Sequence, residues 1–152
     1  MNTLRLLTLL VLICLALPVR AEDAHTPKPG STERKEICDA LRAFIIQEHA
    51  EKKLPKPIVL KIEYLKVLGD YCVVECEPFF EDGTSAIGPW FPDIGYTHCL
   101  RRFANWHVIN DLSRSDVPDP KEISQIKKSF PADFPMNLLS SGWQEILAGK
   151  IN

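Results

Sequence analysis

The chain has 152 residues, of which 45% are hydrophobic and 25% charged, the composition of one ordinary globular domain. It excludes a collagen-like rod, a wholly disordered chain and a large enzyme with a separate cofactor domain. Eighteen Lys and Arg against twenty Asp and Glu give a formal charge of −2, without the basic excess of a nucleic-acid binder, so nucleic acid is not an expected partner.

Residues 1–21 are patterned as a secretory signal peptide. Arg5 precedes an apolar run, Leu6 to Leu17, broken only by Thr8, and Pro18-Val19-Arg20-Ala21 follows with small residues at the cleavage positions. Twelve residues at ~1.5 Å rise are too short to span a ~30 Å hydrocarbon core. Cleavage is therefore expected after Ala21, with Cys14 as filler of the apolar run. Removal of Arg5 and Arg20 leaves a more acidic, exported chain with no membrane anchor, expected in a bacterial periplasm or secreted.

Residues 22–30, with Pro27 and Pro29 and no apolar run, predict a flexible leader ahead of a single domain over 31–152. Ser31 or Thr32 can cap a helix running roughly Thr32 to Glu51, with Ile37, Cys38, Leu41, Phe44 and Ile45 at helical spacing; Leu54-Pro55-Lys56-Pro57 stops it. Ile58 to Leu68 alternates apolar and polar residues, placing Ile58, Leu60, Ile62 and Tyr64 on one side of a strand, and Gly69-Asp70 turns into a second strand, Tyr71 to Phe80. Glu81 to Asp93 reads as a long loop. Gly95 to Arg102 and Trp106 to Leu112 form a second hairpin turning at Ala104-Asn105. Asp119 caps a helix that has Pro120 at its first position and ends near Phe130, and a last helix is expected from about Pro135 to Ala148. The fold class is α+β: an N-terminal helix on a curved four-stranded antiparallel sheet, with short C-terminal helices.

Four cysteines follow the signal: Cys38, Cys72, Cys76 and Cys99. In an exported chain they predict two disulfides. Cys72 and Cys76 would lie ~13 Å apart along one strand, beyond disulfide reach. That leaves Cys38–Cys72 with Cys76–Cys99, or Cys38–Cys76 with Cys72–Cys99. Cys72-x3-Cys76 could be half a zinc site, but no second close pair accompanies it, and neither metal nor cofactor is expected.

Among residues that could carry chemistry, a two-residue hairpin loop would set His98 opposite Asp111, an orientable base, and Arg102 opposite His107. His25 and His49 show no partner and are expected on the surface. Glu75 and Glu77, followed by Glu81 and Asp82, suit a glycosidase pair in type but read as a solvated sheet face. Lys52-Lys53, Arg101-Arg102 and Lys127-Lys128 are scattered charges. No phosphate loop or hydrolase motif is present. Pro89, Trp90, Phe91 and Asp93, in Ile87-Gly88-Pro89-Trp90-Phe91-Pro92-Asp93, form an aromatic loop suited to anchoring a protein partner, or to folding back and closing the sheet.

Pro29-Gly30-Ser31-x-x-Arg34-Lys35, Asp39-Ala40-Leu41-Arg42, Gly69-Asp70-Tyr71 and Leu100-Arg101-Arg102 with Trp106 together resemble a group of small exported proteobacterial proteins of poorly defined role. The resemblance spans roughly Pro29 to Leu112 and implies an α+β roll, as in cystatin-like and nuclear-transport-factor-like folds. It departs in the cysteines and the C-terminal helices, and supplies no catalytic residue. The function expected is a non-enzymatic periplasmic protein-binding protein, an inhibitor or immunity factor against an envelope-acting enzyme, monomeric or weakly dimeric. The alternatives are a small-ligand or acid–base roll using His98 and His107, and a structural envelope component.

Overall fold

Helix α1, Thr32–His49, begins where the Ser31 hydroxyl accepts the Arg34 N–H, and ends at Ala50 in extended conformation, just short of the Glu51 expected from sequence. Ile37, Leu41 and Ile45, four residues apart, fall on one face and are fully buried. The computed structural model describes residues 23–151; the predicted signal peptide, its cleavage point and Cys14 lie outside the described residues.

Helix α1 packs on an open antiparallel sheet of β1 (Ile58–Leu68), β2 (Tyr71–Phe80), β3 (Tyr96–Arg102) and β4 (Trp106–Asp111), in the order β1-β2-β3-β4. The β1–β2 turn pairs Leu68 with Tyr71 and holds Gly69 at φ 57°, the glycine requirement of a type II′ hairpin. A bulge between Ile62 and Tyr64 leaves Glu63 unpaired and bends the strand. Its cause is legible in the composition of β1: Ile58, Leu60 and Ile62 are apolar at even positions, Leu65 and Val67 at odd ones. One extra residue lets both sets face α1. Tyr64 is thereby turned to the other face, correcting its expected side, and its hydroxyl donates to the Leu138 carbonyl at 2.8 Å.

That other face is covered as well. Helix α2, Pro120–Ser129, opens with a capping box between Asp119 and Glu122. A single 3-10 turn, Met136–Leu138, and helix α3, Ser141–Leu147, replace the one continuous helix expected there. Phe134, Leu138, Leu139, Trp143 and Leu147 close over Tyr71, Val73, Cys99 and Leu112. The Trp143 indole N–H donates to Thr97 Oγ1 at 3.1 Å. No described helix is long and apolar enough to cross a membrane.

Residues expected to form a free leader are partly tied down. His25 and Val67 exchange both backbone hydrogen bonds, at 2.9 and 2.8 Å, and the Thr26 hydroxyl donates to the Leu65 carbonyl. The leader thus covers part of the β1 edge.

Register decides the cysteines. Cys72 pairs with Leu100 and Val73 with Cys99, so Cys99 faces the C-terminal helices while Cys72 and Cys76 face α1. Both expected pairings need Cys99 to reach Cys72 or Cys76 through the sheet, and among the described residues all four cysteines are thiols. Burial pushes the Cys72 thiol well up and Cys76 up to about 12, while Cys38 is only half-buried. Alkylation of the native chain should modify Cys38 first and the other three only on unfolding, with a melting temperature unchanged by reductant. Peptide mass spectrometry checks the order; a bridged peptide containing Cys99 would refute the assignment.

Candidate functional site

The titratable side chains that come together are His98 from β3, Asp111 from the end of β4 and His49 from the last turn of α1. Asp111 Oδ2 lies 3.0 Å from His49 Nε2 and Asp111 Oδ1 lies 3.4 Å from His98 Nε2. Ser113 supports the carboxylate: its N–H donates to Asp111 Oδ1 at 2.9 Å, and its hydroxyl lies 3.4 Å from His98 Nε2.

The pairing of His98 with Asp111 is present, though not by the expected route. The hairpin loop has three residues, Phe103 to Asn105, so Arg102 pairs with Trp106 and Arg101 with His107. A bulge between Cys99 and Leu100 then shifts the register by one and restores His98 opposite Asp111. The expected pairing of Arg102 with His107 is therefore lost. His107 also falls on the opposite face of the sheet from His98, so these two histidines cannot share a site.

His98 is fully buried. Tyr96 stacks beside it with centroids 6.4 Å apart, and Phe44 meets it edge-on at 5.5 Å. Burial lowers its pKa to about 4; the Asp111 carboxylate opposes this shift and His49 adds to it. Its Nδ1 has no hydrogen-bond partner. His49, expected on the surface, is mostly covered, and its ring meets Tyr96 at 5.3 Å. The spacing Ile37, Leu41, Ile45, His49 was its sequence signal, since His49 continues the buried stripe by one more step of four. Its partner Asp111 lies 62 positions away, beyond any local pattern.

The aromatic loop folds inward. Phe91 is 0% exposed and Ala86 beside it is fully buried; Trp90 is half-buried, edge-on to Phe80 at 5.1 Å. The Trp90 carbonyl accepts the Glu51 N–H at 3.0 Å, fixing the loop to the end of α1. Of the four loop residues expected to bind a partner, Pro89 and Asp93 remain exposed. Glu75, expected on a solvated face, accepts a hydrogen bond from the Ser140 hydroxyl, whereas Glu77 is half-buried and lies 3.8 Å from Lys61. His25 is exposed and paired with Glu33 at 2.9 Å.

The exposed aromatic is instead Phe103, at 65% exposure on the β3–β4 turn. The Arg101 guanidinium sits 5.4 Å from its ring and 4.9 Å from that of Tyr71. His107 flanks Phe103 at 6.0 Å, and Arg102 lies over Trp106 at 5.2 Å. Asp133 and Asp70 hold the two guanidiniums at 3.2 and 3.3 Å. A cleft of about 320 Å³ under the C-terminal segments is lined by Thr97, Leu112, Arg114, Val117, Trp143 and Ile146. It lies apart from the histidine cluster and at the small end of ligand pockets.

No family model, curated protein or solved structure matches this chain.

Proposed function

We propose that the chain is an exported, non-enzymatic protein that binds another protein, acting as an inhibitor or immunity factor against an enzyme of the cell envelope. The observation that carries this reading is Phe103, exposed at a hairpin tip against Arg101 and His107, with Arg102 beside it in the chain. Aromatic and arginine side chains dominate the energetics of protein interfaces, and a tip already held in place loses little entropy on binding. The two guanidiniums, braced by Asp133 and Asp70, suit a partner that presents an apolar socket rimmed by carboxylates. The signal-like N-terminus supports the envelope as the place of action.

The test is capture from envelope and culture-supernatant fractions, with the wild-type chain and Phe103→Ala as parallel baits. The expected result is one stoichiometric partner with hydrolase activity that the wild-type chain inhibits. Phe103→Ala should weaken its binding by ~2 kcal/mol or more, roughly thirtyfold, while leaving the melting temperature nearly unchanged. Equal capture by both baits, or a captured enzyme whose activity is unaffected, would refute the reading.

A further inference from the structure

We propose that His49, His98 and Asp111 form a binding site for one divalent transition metal ion, zinc in the first instance, with a coordination position left open to solvent. The nitrogen and oxygen atoms these residues offer all lie within 4.8 Å of one another. Ligands at the ~2.0–2.2 Å distances of zinc, set at the corners of a tetrahedron, are about 3.3 Å apart. The two His–Asp separations, 3.0 Å from His49 to Oδ2 and 3.4 Å from His98 to Oδ1, lie near that value, one at each oxygen of the carboxylate. A modest turn of the mostly covered His49 ring completes the set.

Three features separate this arrangement from a chance surface contact. First, the donors come from three elements, and each imidazole presents Nε2 to the same carboxylate. Second, the carboxylate is oriented by the Ser113 N–H, an outer contact of the kind that fixes metal ligands. Third, His49 lies in the last turn of α1, where the negative end of the helix dipole adds to the Asp111 charge in attracting a cation. Two imidazoles and one carboxylate suit zinc better than calcium or magnesium, which favour all-oxygen shells.

One feature weakens the site. With Nε2 on the metal, His98 Nδ1 carries the proton, and it has no acceptor. A missing outer partner costs about 10–100-fold in metal affinity, so the expected dissociation constant is micromolar. The ion would join the end of α1 to β3 and β4 and leave its fourth position facing solvent beside His49 and Asp111.

The experiment uses the mature chain without a histidine tag, stripped with chelator and titrated with Zn2+ by calorimetry and with Co2+ by absorption. One site per chain is expected, with tetrahedral d–d bands and no thiolate charge-transfer band. At a hundredfold excess over the dissociation constant the melting temperature should rise by about 5–10 °C. His49→Ala, at the helix end, and Asp111→Asn should each weaken binding by about a hundredfold, whereas His25→Ala should leave it unchanged. Nitrogen-15 shifts should place the metal on Nε2 of His49 and His98. Absence of binding at 1 mM Zn2+, a cobalt–thiolate band, or undiminished affinity in both variants would overturn the proposal.

Discussion

Phe91→Ala is expected to destabilise the chain by about 3–5 kcal/mol, the cost of emptying a fully buried phenylalanine site. At this chain length that is a fall in melting temperature of roughly 10–20 °C. Phe91 is 0% exposed and belongs to the cluster of Ile58, Phe80 and Ala86 that α1 closes. Its N–H donates to the Ala86 carbonyl, and its carbonyl accepts the Gly88 N–H at 2.7 Å. The loop therefore acts as core. Trp90→Ala, removing a half-buried ring, should cost less, about 1–2 kcal/mol, and Phe103→Ala close to nothing. Chemical denaturation of the three variants checks this order. A Phe91→Ala loss below about 1 kcal/mol would show that the loop can open without disturbing the core.

Acid is expected to destabilise the metal-free chain through His98. Its folded pKa is about 4, against ~6.5 in an unfolded chain. Between those two values the unfolded chain binds the proton and the folded chain resists it, so stability falls as pH drops from about 6.5 to about 4 and is fully present above that window. The gap corresponds to about 3 kcal/mol. Asp111 facing His98 from β4 reduces the effect and His49 from α1 adds to it; Phe44, Tyr96 and the Ser113 hydroxyl, which also face the ring, carry no charge there. Urea denaturation across this range with chelator present should show the slope, and His98→Gln should flatten it whatever that variant costs at pH 7. A slope unchanged by His98→Gln would assign the acid sensitivity to other groups.

The two hairpins and α1 were legible because each rests on short-range pattern. Ile37, Leu41 and Ile45 recur every four residues, Gly69 supplies a turn, and apolar residues alternate through β1. Even the β1 bulge shows in the switch of apolar parity between Ile62 and Leu65. The break at Leu139-Ser140 was missed because Leu138, Leu139, Trp143, Ile146 and Leu147 keep helical spacing across it. The candidate site was half legible. His98 and Asp111 share a hairpin, whereas His49 reaches them only because α1 crosses the sheet toward β4. The loop aromatics carry no period, so nothing local told Trp90 and Phe91 to turn inward or left Phe103 outside.

What the sequence by itself determined was the α+β class, the element order and the hairpin partners, all of which follow from backbone propensity and spacing over a few residues. The tertiary structure alone decided which face each thiol occupies. β2 and β3 are joined by a long connection rather than a tight turn, so their register is set by packing, and a shift of one residue would have put Cys99 beside Cys72. It also decided that both faces of the sheet are covered and that two imidazoles meet at one carboxylate. Those outcomes depend on how separate elements dock, and docking is set by the fit of whole faces, which no window of sequence contains.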